Sequence, residues 1–219
     1  MKLKTKKYRD EFSRFLVFGE HQIEKAKQAS LIEEIVTSNQ TAQGTLIDIA
    51  LMKELQFTET LIDTFAVCKF NTLKIQSKRV LFLDDIQDPD NLGALIRSAA
   101  AFGFHQVIAS HKSTDFYNDK TIRAAKGSIF DVELVRGPIL EMIASYKNKG
   151  YIIIGADAHG ENHEIKNDKL GLVLGNEGHG LSDETKKLCN GFYTIQTQKV
   201  ESLNVSVAGG ILMYQWRVS

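Results

Sequence analysis

Short apolar runs separated by polar turns set the rhythm of this chain, and their spacing changes near residue 75. Residues 15–18, Phe15-Leu16-Val17-Phe18, form a run too short for a buried helix and read as a strand. The pattern then predicts a helix over 21–29, with Ile23 and Ala26 on one face. A strand over 32–36, a helix over 47–55 and a strand over 66–70 follow. This is a small α/β unit with mixed short strands. Residues 71–79 are polar and basic and read as a linker. Two domains are therefore expected, one over 1–75 and one over 79–219.

From 79 onward the alternation is more regular. Val80-Leu81-Phe82-Leu83 is almost continuously apolar, as in a parallel strand covered on both faces. The expected elements are a helix over 92–102, a strand over 106–109, a short helix over 120–125 and a strand over 132–135. After these come a helix over 139–148, strands over 151–155 and 171–174, a helix over 181–189, a strand over 193–196 and a helix over 203–216. Strands alternating with helices imply βαβ units, an α/β class and a mostly parallel sheet.

Composition narrows this only a little. With 219 residues the chain suits one large domain or two small ones. No apolar run approaches the roughly 20 residues needed to span a bilayer. The basic start of the chain leads into no apolar segment, so it does not read as a secretory signal. Cys68 and Cys189 lie far apart without metal-type spacing and read as reduced cytosolic thiols. The formal net charge is zero, so an argument for nucleic acid must rest on local charge. One local cluster exists: Lys2, Lys4, Lys6, Lys7, Arg9 and Arg14 face only Asp10 and Glu11 within residues 1–14. It is either a solvated, frayed tail or an anchor for phosphates. Arg123 and Lys126, just before Gly127, are a second candidate contact, as are Lys74, Lys78 and Arg79 near the linker.

In an open parallel sheet, ligands bind beyond the carboxyl ends of the strands. Three segments stand at such ends. In the first, Asp84 to Ala99, Asn91 can cap the helix that follows. Arg97 lies among Ala94, Leu95, Ile96 and Ala99, where a guanidinium needs an anionic or carbonyl partner. That partner is either a substrate or a nearby carboxylate such as Asp85 or Asp88. The second segment runs from a strand through Gly175-Asn176-Glu177-Gly178-His179-Gly180 into a helix. Its glycine spacing matches neither the dinucleotide fingerprint nor the P-loop. Glu177 would repel a phosphate and suits a cationic or hydroxyl-bearing ligand. The third, Lys199 to Tyr214, carries Ser202 and Asn204 at a helix start. Ser202 can be a simple N-cap. Gly209-Gly210 inside the helix suggests that another backbone packs closely there.

Taken in order, these segments resemble the three motifs of the SpoU (TrmH-like) family of the SPOUT superfamily of RNA methyltransferases. Asp88-Pro89-Asp90-Asn91-Leu92-Gly93 through Arg97 is similar to the first motif. Leu174-Gly175-Asn176-Glu177-Gly178 through Leu181 is similar to the second, and Glu201-Ser202-Leu203-Asn204-Val205 to the third. Before the third motif the family usually has Ile-Pro and a glycine; Ile195-Gln196-Thr197-Gln198-Lys199 lacks both and is one residue short. Residues 15–20 and the helix after them resemble the family's ribosomal-protein-like RNA-binding domain.

The resemblance implies a C-terminal trefoil knot, an obligate homodimer packed through knot helices, and a metal-free, cytoplasmic RNA ribose 2′-O-methyltransferase using S-adenosylmethionine. Ribosomal RNA of the large subunit is favoured over transfer RNA. A non-catalytic RNA-binding relative and a small-molecule nucleotide-binding enzyme are the alternatives. The catalytic set implied is Arg97, Asn91, Glu177, Ser202 and Asn204. The cofactor set is Leu174, Gly175, Asn176, Gly178, Gly180, Ile195 and Leu203. Lys4, Lys6, Lys7, Arg9 and Arg123 are the expected RNA contacts.

Overall fold

The computed structural model describes residues 2–56, 62–158, 160, 162 and 167–217. After a short 3-10 turn at Lys2–Lys4, the first part of the chain forms α1 (Lys6–Phe12), β1 (Arg14–Phe18), α2 (Glu20–Gln28) and β2 (Ile32–Thr37). It continues through β3 (Thr45–Leu46), α3 (Ile49–Leu55) and β4 (Thr64–Lys69). The sheet order is β1-β4-β2-β3, with β4 antiparallel to both neighbours and β3 parallel to β2. The apolar run of β1 is explained by burial on both faces. Phe15 and Val17 join the main core, while Leu16 packs with Val36, Met52 and Phe65 on the other side.

The tail is not frayed. Residues 6–12 form α1 because Arg9 is buried and directs its guanidinium at Asp115 (Nη2–Oδ2 2.7 Å) and at the carbonyls of Leu3 and Lys4. An arginine satisfied in this way fixes the helix around it.

The second part contains β5 (Arg79–Leu83), α4 (Pro89–Ala101), β6 (Gln106–Ser110), α5 (Asp119–Ala125), β7 (Glu133–Gly137) and α6 (Ile139–Asn148). It ends with β8 (Ile152–Ala156), β9 (Leu170–Leu174), α7 (Asp183–Leu188), β10 (Gly191–Tyr193) and α8 (Val205–Gln215). Six strands in the order β10-β8-β9-β5-β6-β7 pair in parallel throughout. Along β5 the burial alternates by face. Leu81 and Leu83 meet Leu92, Leu95, Leu212 and Met213, from α4 and α8, whereas Val80 and Phe82 meet Ile139 and Ile143 from α6. The strand order reverses between β5 and β9, which is where an open α/β sheet forms its ligand crevice.

Most expected boundaries move by one to three residues, the helix expected over 92–102 among them, which begins at Pro89; at three elements the cause is visible. The last strand ends at Tyr193 rather than reaching 196, because its partner β8 ends at Ala156 and Thr194 turns away to bond Asn162 and Ala158. The last helix starts at Val205, capped by Asn204 and not by Ser202. The helix expected over 181–189 is trimmed to Asp183–Leu188 because Ser182 caps it.

The segment expected to be a linker is irregular but fastened. Asn71 donates to the carbonyls of Ile129 (2.9 Å) and Val132 (3.0 Å), and its amide donates to the Tyr117 hydroxyl (3.0 Å). Phe15, Phe70, Tyr117 and Phe130 then form an aromatic seam between the two sheets. Further along, the Glu133 carboxylate accepts from the Ile75 amide, from Gln106 Nε2 and from Lys74. Burial pushes its pKa up, but these three donors outweigh that and hold it below its ordinary 4.5.

Candidate active site

The site is built first by the exit of β5. Asp88 accepts from the Asp90 amide at 2.7 Å, and Pro89 takes the first position of α4, where its missing N–H costs nothing. Asp88 is therefore the cap, and Asn91, expected to cap, lies buried inside the first turn. Asp85 holds a left-handed backbone (φ 67°) that bends the loop toward β9. Its carbonyl accepts from Asn176 Nδ2 at 3.0 Å.

The glycine turn after β9 closes on itself. Asn176 and Gly180 exchange two backbone hydrogen bonds, 3.0 and 2.9 Å, while Asn176 Oδ1 accepts from the Gly178 amide at 2.8 Å. A Cβ on Gly175 would lie 2.3–2.4 Å from the backbone of Gly180 and Leu181, so only glycine lets the two strands of the turn pass. Gly180 supplies the positive φ (71°) that closes it.

Across these loops runs a line of hydrogen bonds that joins all three segments. Glu177 Oε1 accepts from the Asp88 amide (3.2 Å) and Asn91 Nδ2 (3.1 Å), and its Oε2 accepts from the Gln87 amide (3.3 Å). Asn91 Oδ1 in turn accepts from Asn204 Nδ2 at 3.0 Å. Asn204 Oδ1 accepts from the amides of Ser206 and Val207 and caps α8. Glu177, read from sequence as facing a ligand, thus directs both oxygens at its own scaffold.

Two expected catalytic residues stand apart from this line. Arg97 is exposed and has no hydrogen bond or ion pair among the described residues. The carboxylate partner considered for it at Asp85 or Asp88 is not there: Asp85 meets Gln87 and His179, and Asp88 caps α4. Asn91 and Arg97 point about 120° apart around the helix. Ser202 is likewise exposed and has no side-chain partner among the described residues. Of the remaining cofactor candidates, Leu174 is buried at the end of β9, and Ile195 and Leu203 are half-buried.

Sequence reading missed Asp84. This buried carboxylate at the tip of β5 accepts from Thr185 Oγ1 (2.7 Å), Ser182 Oγ (2.9 Å) and the Ser182 amide (3.4 Å). It ties the central strand to the far end of the glycine turn. The signal available was an acidic residue directly after an apolar strand, at a depth where an unpaired charge is costly. Gly209 is also explained differently. A Cβ there would meet Leu95 at 2.4 Å and Leu174 at 2.7 Å, so it admits side chains of α4 and β9, not another backbone.

The expected RNA contacts divide. Arg9 is withdrawn from that role by its burial against Asp115. Lys4 donates to the carbonyls of Glu54 and Gln56 at the end of α3. Lys6 and Arg123 pair with Asp10 and Asp119 one turn away, and Lys7 is exposed.

Against known proteins, the model of the SpoU rRNA Methylase family matches residues 78–214. The 23S rRNA (guanosine(2553)-2′-O)-methyltransferase RlmP of Bacillus subtilis is 34% identical, and the alignment covers 99% of this chain and 93% of that protein. The fold resembles that of the SpoU methyltransferase AviRb from Streptomyces viridochromogenes in complex with AdoMet. The TM-score is 0.84 and the identity 23%, over 97% of this chain and 92% of that one. An AdoMet-bound rRNA methyltransferase from Sinorhizobium meliloti gives a TM-score of 0.82 at 23% identity, over 97% and 90%.

Proposed function

The chain belongs to the SpoU rRNA methylase family, and on that premise we propose how its candidate site works. It is an RNA ribose 2′-O-methyltransferase whose methyl donor is S-adenosylmethionine. We take large-subunit ribosomal RNA as the substrate, because the Bacillus subtilis relative is named for 23S rRNA and aligns over nearly the whole chain.

The donor supplies an electrophilic methyl group on a sulfonium. The residues present fit it. The glycine backbone of 175–180 is tightly turned and can approach a ligand closely, and Ile195 and Leu203, in the segment that leads into α8, are half-buried apolar side chains. Leu174, Gly175, Asn176, Gly178, Gly180, Ile195 and Leu203 are the proposed cofactor contacts.

The observation that carries the mechanism is the Glu177–Asn91–Asn204 line. It locks the three loops into one rigid frame, which is what in-line transfer to a positioned hydroxyl needs. Arg97 and Ser202, exposed and without partners among the described residues, are left to meet the RNA. A guanidinium is too weak a base to take the 2′ proton. Arg97 therefore anchors the adjacent phosphate and stabilises the developing alkoxide, and the 2′ proton leaves to solvent as the new O–CH3 bond forms and the sulfonium–methyl bond breaks. Ser202 orients the ribose.

Residues 1–75 are the proposed RNA-binding unit and 79–219 the methyltransferase unit. We place the trefoil knot at the C-terminus, a reading supported by the path of the chain from outlying β10 back to α4. The active form is a cytoplasmic homodimer joined through α8, whose Val207, Ile211 and Tyr214 form an exposed apolar stripe. Mapping ribose methylation in total RNA from cells with and without the gene tests the function. Loss of one 2′-O-methyl mark in large-subunit RNA is expected, and an unchanged map in a strain shown to lack the protein counts against it.

A further inference from the structure

Resting on the reading of this chain as an RNA methyltransferase, we propose that α1 carries a stacking platform for an unpaired RNA base. Tyr8 and Phe12 form it, and Lys2 and Lys7 rim it.

The two rings sit one helical turn apart with their planes 11° from parallel and their centroids 6.1 Å apart. Phe12 is 42% exposed, and neither ring belongs to any of the hydrophobic clusters. An aromatic pair that stands outside the core clusters of the described residues still costs solubility, and a role at the surface accounts for it. Its surroundings select the occupant. Lys2 Nζ lies 5.3 Å from the Tyr8 centroid and 5.7 Å from that of Phe12, and Lys7 Nζ lies 5.7 Å from Tyr8. Among the described residues neither lysine has a carboxylate partner, whereas Lys6 is paired with Asp10 and Arg9 with Asp115. Flat apolar faces with unpaired ammonium groups suit a base and its flanking phosphates. Lys2, on a flexible stem, exchanges the ring faces for a phosphate when a base arrives. Bases inside a duplex already stack on each other, so the platform favours single strands.

Placement supports the same occupant. Arg9 fixes α1 to Asp115, in the loop that follows β6 at the carboxyl edge of the parallel sheet. That loop also contacts the β5 exit: Thr114 N donates to Ile86 O (2.8 Å), and Gln87 Nε2 donates to Lys112 O (2.9 Å). The Gln87 amide meets Glu177. The platform therefore stands on the same edge as the candidate active site, where it can hold a nucleotide near the one being methylated.

The test uses the full chain with a short fluorescein-labelled single-stranded RNA and the corresponding duplex. Phe12→Ala and Phe12→Leu should each weaken single-strand binding about tenfold, with little change on the duplex. Leucine keeps the apolar bulk, so equal losses identify the ring. Unchanged affinity for adenosylhomocysteine shows that both variants are folded. Replacing Lys2 and Lys7 by glutamine should flatten the salt dependence by roughly 0.7 per contact. Wild-type affinity for both RNAs in both Phe12 variants would overturn the platform. So would equal loss on single strand and duplex, or a change in self-association with RNA binding intact. If the wild-type chain transfers no methyl group to ribosomal RNA, the underlying reading fails. If it does, and the Phe12 variants bind normally, only the platform fails.

Discussion

Arg97 is one of two residues expected to carry chemistry that have no partner among the described residues, and that makes it a clean test. Because it is exposed and has no partner among the described residues, Arg97→Ala should change stability by no more than about 0.5 kcal/mol, as is usual for surface sites, and leave the melting temperature almost unchanged. Single-turnover methylation should fall by about 10² to 10³, the scale for one preorganised charge-stabilising donor. Arg97→Lys should rescue poorly, since an ammonium cannot reproduce the guanidinium fork. A mutant that melts early yet methylates normally would return Arg97 to the scaffold. Asp84 makes the opposite prediction. It acts through Ser182 and Thr185 on the glycine turn, so Asp84→Asn should raise the KM for adenosylmethionine by about tenfold while kcat changes little. The mutant should also lose roughly 1–3 kcal/mol of stability. A fall in melting temperature with unaltered cofactor affinity would make Asp84 purely structural.

At the scale of elements, periodicity located most helices and strands, and the helix over 139–148 matches α6 from end to end. It failed where a partner decides. The boundary of β10 depends on where β8 stops, and α1 depends on a buried ion pair with a residue more than a hundred positions away. Similarly, the motif residues were legible but their directions were not. Nothing in the spacing says that Glu177 turns to Gln87, Asp88 and Asn91, or that Asn91 sits within α4 instead of capping it. The fastened linker yields a pH prediction. Glu133 has its pKa depressed in the folded state, so its stabilising contribution is fully present above its ordinary 4.5. It is lost as pH falls through the lower, folded value. Below about pH 4.5 the wild type should therefore lose melting temperature more steeply than Glu133→Gln. Parallel curves for the two proteins would show that the clamp does not depend on the charge.

For the whole molecule, the aromatic seam and the Arg9–Asp115 pair bind the two sheets into one body. The proposed dimer adds a second association through α8. Ile211→Asp would place a charge in the middle of its exposed apolar stripe. Sedimentation equilibrium should then report half the mass, with the monomer still folded. A monomeric wild type would remove α8 from the interface.

The strand order also sets a timetable for synthesis. β9 sits between β8 and β5, so the centre of the parallel sheet cannot form until Leu174 has left the ribosome, about 90 residues after Leu83. At roughly 5–20 residues per second that is a wait of about 5–18 s. The small N-terminal sheet is complete by Lys69 and can form during that time. Throughout it, the apolar β5 is a nascent strand with an open edge, and edges of that kind recruit other chains. For a protein whose substrate is proposed to be the ribosome's own RNA, the growing chain is exposed to aggregation beside the particle it is meant to modify.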